Sequence, residues 1–224
     1  MIKLKYIAII VLLATSSTFL RAQINEVNMR VRAGHNVVLG SFTAVSLETH
    51  QLLNDNFKIQ GGVQYNTIDK TTLEARPAYF RDYSWGKLST EVLLTYANIT
   101  SVNSFAAGAG VVLSGRWIEG KLGYYYRMFG GKGSSINEPF NIYYEFCANL
   151  LPMIEDWNLK MVITNNEIFE LERHYQPTFI AQCSYYPLQY LGISLGIGCK
   201  PSGMFNMSAD YYQSHVNLGI CYRW

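Results

Sequence analysis

The chain has 224 residues and a formal net charge of +2, and aromatic residues make up 14% of it, with 17 tyrosines. This length suits one domain, and the small net charge, with basic residues scattered along the chain, excludes a basic nucleic-acid-binding surface. A mean hydropathy of +0.03 is too polar for a bundle of membrane helices, although the charged fraction of 15% lies below the roughly 25% of average soluble proteins.

The first segment has the layout of a cleavable secretory signal. Two lysines precede an apolar run over 6–13, and small polar residues follow before Ala22. This order is typical of a signal peptide, and the apolar run is shorter than the about 20 residues that a membrane-spanning helix needs. We therefore predict a signal peptide over 1–22 and a single exported domain over 23–224.

The rest of the chain alternates between apolar and polar residues with a period of two. Phe57, Ile59 and Val63, for example, fall on one face of a strand, and Lys58 falls on the other. Such alternation predicts strands with one apolar and one polar face. We predict about twelve strands of roughly 9–12 residues, or about ten if the first segment does not form a strand. The predicted strands cover 25–34, 36–48, 57–67, 71–84, 87–99, 103–115, 117–128, 139–150, 158–166, 176–187, 191–200 and 213–224.

The predicted connections fall into two groups. Gly34, His35 and Asn36 form the first turn in this scheme, and an even number of strands brings both termini to the end that carries the short turns. The short turns are predicted at 83–86, 114–115 and 187–188, and the longer loops of the opposite end at 129–137, 166–176 and 201–214.

The last eight residues form an amphipathic strand that ends in an aromatic residue. Alternate positions from Leu218 to Trp224 are apolar or aromatic and share one face. A chain with an export signal, alternating strands and such an ending resembles the outer-membrane β-barrel proteins of Gram-negative bacteria. The resemblance implies that this ending is the membrane-insertion signature, carried by Asn217, Gly219, Tyr222 and Trp224.

The resemblance also implies a fold and a location. The expected fold is all-β, a closed antiparallel up-and-down transmembrane β-barrel, in the outer membrane of a Gram-negative bacterium. The expected partners are outer-membrane lipid, lipopolysaccharide and, during insertion, the barrel-assembly machinery, with no nucleic acid and no cofactor. The expected function is non-enzymatic: a narrow channel, or a structural or accessory component of the envelope.

The polar faces of the predicted strands would line the barrel interior. Charges there must be paired or hydrated, because burying them singly costs several kcal/mol each. A mixed-charge lattice suits either a barrel filled with ion pairs or a narrow aqueous pore, and the sequence leaves both open. The lattice comprises Arg30, Arg32, Glu48, Lys58, Glu74, Arg76, Glu91, Glu119, Lys121, Arg127, Glu145 and Arg223.

Several chemical motifs are incomplete. The glycine-rich segment 130–134 lacks the spacing of a phosphate-binding loop. His35, His50, His174 and His215 show no metal-ligand spacing, so we expect them in loops or at the membrane interface and predict no metal site. The cysteines, far apart in the sequence, are expected to be small apolar fillers. Strand parity places Cys183 and Cys199 on the lipid face, and Cys147 and Cys221 on the inner face.

Two alternatives to a non-enzymatic barrel remain. An outer-membrane hydrolase, phospholipase-like or protease-like, could use the acidic segment 167–175 with His174, or Ser214 and His215 with Asn217. Adjacent strand residues point to opposite faces, so Ser214 and His215 cannot form a hydrogen-bonded dyad, and we predict no catalytic residue. The second alternative is a soluble periplasmic β-sandwich.

Overall fold

The computed structural model describes residues 25–37, 40–67, 70–99, 102–131, 134–154, 156–165, 177–203 and 208–224. These residues form twelve strands, and no helix among them is long and apolar enough to cross a membrane. The strands are β1 (Asn25–Asn36), β2 (Gly40–Asn54), β3 (Phe57–Asn66), β4 (Lys70–Tyr83), β5 (Gly86–Ile99), β6 (Val102–Ser114), β7 (Ile118–Gly131), β8 (Ser134–Asn149), β9 (Trp157–Thr164), β10 (Thr178–Leu188), β11 (Leu191–Gly203) and β12 (Ser208–Arg223).

The twelve strands form one closed barrel in which every strand is antiparallel to the next. β1 pairs with β2 and also with β12, and the second pairing runs without interruption from Glu26–Arg223 to Asn36–Gln213. The prediction of a closed antiparallel barrel with twelve strands is therefore confirmed, and the ten-strand count is wrong. The β-sandwich alternative is also wrong, because the described strands form a single sheet that closes on itself.

The first turn lies farther along the chain than the sequence predicted. Gly34, His35 and Asn36 belong to β1, and the turn precedes Gly40, whose positive φ of 82° favours glycine. Gly34 serves packing instead, because a Cβ there would overlap the ring of Phe42. A glycine required by close approach was thus mistaken for a turn residue.

Two of the predicted loops are largely strand. β7 continues to Gly131 and β8 starts at Ser134, so that Phe129 pairs with Ile136 inside the predicted loop 129–137. β11 and β12 likewise extend into the predicted loop 201–214. The glycine and serine content of these segments indicated loops. Both residue types weaken a strand, but their backbone groups still form its hydrogen bonds, so the segments can be strands. The predicted signal peptide (1–22), the segment 166–176 and His174 within it lie outside the described residues.

The outer face of the barrel is apolar around its circumference. Met29, Leu122, Ile142, Leu195 and Leu218 lie on five different strands, and each is at least half exposed. A continuous apolar surface of this kind is rare on monomeric soluble proteins, where exposed apolar patches are small.

Aromatic side chains gather at the end of the barrel where β1 begins and β12 ends. Tyr83 and Trp85 stack with ring centroids 5.5 Å apart, and Tyr222 and Trp224 stack at 5.7 Å. Trp157 packs against Tyr185 nearby with a separation of 4.6 Å. Amphipathic rings at one level of an apolar surface are typical of the boundary between lipid and water.

Candidate functional site: the barrel interior

The structure places the twelve charged residues singled out in the sequence on the inner side of the wall. Eleven of them line interior cavities, and Arg127 is buried beside Ser104, to which its Nε donates a hydrogen bond of 3.2 Å. The interior also holds charged and titratable residues that we did not predict there: Glu26, His50, Lys87, Lys160, Lys200 and His215.

Strand parity was the available signal for these missed residues. Lys160, for example, lies between Leu159 and Met161, whose side chains face outward, so its own side chain must face inward. The expectation that His50 and His215 lie in loops or at the interface is wrong, because they lie within β2 and β12 and face the interior.

Five charged side chains from β4, β5, β7 and β8 form one connected group, the central charge cluster. It comprises Glu74, Arg76, Glu91, Lys121 and Glu145. Arg76 pairs with Glu74, and its Nη1 lies 3.6 Å from Glu91 Oε1. Lys121 Nζ lies 3.8 Å from the same oxygen and 4.0 Å from Glu145 Oε1. Each cation thus faces two carboxylates, which compensates for the loss of water around it.

A dry cluster fills the side of the interior formed by β5–β8. Tyr143 is fully buried and packs with Leu93 and Tyr125, while its hydroxyl donates a hydrogen bond of 3.1 Å to Glu91 Oε1. The Tyr143 ring lies across glycines of the neighbouring strands, since a Cβ at Gly110 or Gly123 would overlap it. We call this side of the interior, together with the carboxylate of Glu91, the packed wall.

The opposite side of the interior is open and polar. Arg30 Nη2 lies 3.3 Å from Glu48 Oε2, and the side chains of Arg30 and Glu48 are 35% and 25% exposed. Arg32 Nε donates a hydrogen bond of 3.0 Å to Asn217 Oδ1. We call this side, formed by β1–β3 and β9–β12, the polar wall.

Two large cavities meet at the level of the central charge cluster. A cavity of about 640 Å³ extends toward the end of the barrel where β1 begins and β12 ends, and one of about 390 Å³ extends toward the opposite end. Both are lined by His50, Gln60, Arg76, Glu119 and Lys121. These residues therefore form the boundary between the two halves of the lumen.

The four residues of the predicted insertion signature are divided between the two faces of β12. Asn217 and Gly219 face the interior, where Gly219 lies against Ser194 and leaves no room for a Cβ. Tyr222 and Trp224 face outward in the aromatic group at the end of the barrel.

The candidate catalytic residues of β12 are not arranged as a dyad. Ser214 and His215 are consecutive in the strand and occupy opposite faces, with His215 buried on the inner side over Gly198. Among the described residues, no group of three or more His, Cys, Asp and Glu side chains is placed to hold a metal ion.

The cysteines occupy the faces that strand parity indicates. Cys199 is exposed on the outer face and Cys183 lines an outer apolar groove, while Cys221 lines an interior cavity and Cys147 is partly buried on the inner face. All four thiols are free.

Comparisons with known proteins give structural matches alone. No protein-family model matches the chain, and no curated protein matches it. A NanC porin superposes with a TM-score of 0.60 at 8% identity, covering 87% of this chain and 98% of that one. An outer-membrane channel from Pseudomonas putida F1 gives 0.53 at 11% identity, covering 92% of this chain and 96% of that one.

An enzyme shares the same architecture. The outer membrane phospholipase A from Escherichia coli superposes with a TM-score of 0.52 at 9% identity, covering 91% of each chain. At such identities the likeness concerns the fold, and one fold hosts unrelated functions. The chain has the closed barrel architecture of outer-membrane β-barrel proteins.

Proposed function

We propose that the protein is an integral outer-membrane β-barrel that acts as a narrow, non-enzymatic channel for water and small hydrophilic solutes. The observation that carries this proposal is the pair of interior cavities that share lining residues across the central charge cluster. A barrel with a purely structural role could fill its interior with side chains, whereas this one keeps a polar, open wall beside a packed one.

The outer membrane is the proposed location for two reasons. The apolar outer face with its aromatic end suits a bilayer, and a closed sheet has no edge that lipid would leave unpaired. Solved structures of the same architecture include a porin and an outer-membrane channel. In this proposal β12, with Tyr222 and Trp224 facing outward, is the strand presented to the barrel-assembly machinery. The end of the barrel opposite the aromatic group contacts lipopolysaccharide.

The proposed channel is narrow because the packed wall occupies part of the lumen. Tyr143 and Leu93 are completely buried there, so solutes can pass only along the polar wall and past Arg76 and Lys121. Opposed charges at such a constriction favour small hydrophilic solutes over apolar ones.

Planar-bilayer recording of the refolded protein tests the channel. We expect discrete conductance steps, and a larger step size for Lys121→Ala, because the shorter side chain widens the boundary between the cavities. Lys87→Ala is the matched control, since Lys87 lies near the mouth of the lumen, 3.6 Å from Asp82, and its side chain is 40% exposed.

The gel mobility of the unheated protein supplies the control for folding. A closed barrel migrates through the gel at a different rate before and after heating. In a separate test, the protein should fractionate with the outer membrane. Electrical silence from protein that shows this gel shift would contradict the channel and leave a structural or accessory role in the envelope.

A further inference from the structure

A small recess opens from the lumen into the polar wall between β9 and β1. Its volume is about 150 Å³, and its floor is the inner face of β11, where glycine and serine alternate with outward-facing apolar residues. The rings of Tyr186 and His215 cover Gly192 and Gly198, at the two ends of this row. Ser194, which lies between these two glycines in the row, lines the recess.

The recess carries more positive than negative charge. Arg30, Lys160 and Arg223 line it, and Glu26 is its one acidic lining residue. Glu26 is engaged by Arg223, whose Nε lies 2.7 Å from Glu26 Oε2. Lys160 has no carboxylate within ion-pair distance among the described residues. An ammonium group in a partly dehydrated site without a counter-charge is unfavourable, so an anion bound beside Lys160 would be stabilised.

Neutral hydrogen-bonding groups complete the lining. Asn158, Gln182, Ser184 and Ser194 present amide or hydroxyl groups to the recess. The Asn158 amide oxygen is buried and makes no hydrogen bond, so this amide is available to a bound molecule, and a half-turn about its last bond presents the N–H₂ group instead.

We propose that the recess binds an oxyanion, the carboxylate or phosphate group of a small solute, with Lys160 as its principal cation. Lys160 and Arg30 also line the 390 Å³ cavity, so an anion in the lumen reaches the recess directly. Guanidinium and ammonium groups donate charge-assisted hydrogen bonds to such oxygens. The inference deepens the proposed channel function by naming the solutes that the lumen would favour.

Calorimetric titration of the refolded protein with sodium acetate and with sodium phosphate, at constant ionic strength set by sodium chloride, tests the recess. We expect one anion per barrel and binding that Lys160→Gln weakens about tenfold or more. Lys58→Gln is the matched control, because Lys58 also faces the lumen without an ion pair among the described residues but lines the other large cavity. It should change binding less than about twofold.

A second variant guards against misfolding of the first. Asn158→Asp places a carboxylate in the recess beside Lys160, so binding should be lost although the cation remains. The heat-dependent gel shift verifies closure of each variant. Comparison of acetate with phosphate identifies which oxyanion is bound.

The outcomes separate this inference from the proposed channel. Absence of binding to both anions, or equal weakening by Lys160→Gln and Lys58→Gln, would overturn the recess as a site. Binding by a protein that is silent in bilayers would support the recess and contradict the channel. In a conducting protein, Lys160→Gln should shift the reversal potential in a potassium acetate gradient toward cation selectivity by more than Lys58→Gln does.

Discussion

The packed wall and the polar wall are built from strands with the same alternation, yet one is dry and the other is open. On the packed wall the inner residues are complementary in size, since the Tyr143 ring occupies the space left by Gly110 and Gly123. On the polar wall the charged side chains of Arg30 and Glu48 pair with each other at 3.3 Å, and the lumen beside this pair remains open.

The difference shows that alternation decides which side of the sheet a residue faces, while the volumes of the inner residues decide whether that side is filled. Close packing contributes stability, because each buried side chain makes many contacts that a hydrated one lacks. We therefore expect stability to depend mainly on the packed wall, and solute contact to depend on the polar wall.

The largest change in the free energy of unfolding is expected for Glu91→Gln. This change leaves Arg76, whose side chain is only 5% exposed, and Lys121 without the carboxylate that they share. We expect a loss of about 3 kcal/mol in the free energy of unfolding, at the lower end for a broken buried ion pair because each cation keeps a second carboxylate. Urea titration of the protein in phospholipid vesicles measures it.

Glu48→Gln is the matched change on the polar wall. Glu48 pairs with Arg30, but both side chains are partly exposed, so we expect a loss of at most about 1 kcal/mol. Equal losses for the two variants would show that the packed wall has no special share in stability.

A smaller effect is expected for Gly123→Ala. The new methyl group would overlap the Tyr143 ring, and overpacking of this kind costs about 1–3 kcal/mol. Gly62→Ala is the control, because a Cβ at Gly62 would meet Glu48 Cγ at an ordinary contact distance of 3.7 Å. The same urea titration compares the two variants. A larger loss in the free energy of unfolding for Gly62→Ala than for Gly123→Ala would contradict the prediction.

The smallest expected effect is that of Asp82→Asn at the mouth of the lumen. The Lys87–Asp82 pair spans 3.6 Å, but the Asp82 side chain is 70% exposed, so water screens the charges. We expect the free energy of unfolding to change by less than about 1 kcal/mol. A larger change would mean that the rim belongs to the stabilising part of the molecule.

The strands were predictable because lipid and water impose opposite preferences on the two faces. Residues such as Leu218 and Ile220 recur at every second position, and twelve such segments correspond to the twelve strands. Lys160 carried the same signal, since it lies between Leu159 and Met161, but neither Lys160 nor Glu26 was included in the predicted lattice.

The filled and open parts of the interior were not predictable. They depend on which inner residues become neighbours across strands, for example Tyr143 beside Gly123, and that requires the register between strands. The turn prediction at Gly34 failed for the same reason, because the contact with Phe42 that excludes a Cβ comes from the next strand. Sequence alternation gives no register, so these contacts appear only with the fold.

The seam between β1 and β12 has a consequence for biogenesis. Arg223 donates a hydrogen bond to Glu26 across 197 positions of the chain, so this seam joins the first strand to be synthesised to the last. Until β12 has emerged, β1 and the newest strand both present bare backbone edges, which invite aggregation. Every nascent or truncated chain that lacks β12 should therefore depend on chaperones, and loop-closure entropy makes the final joining slow.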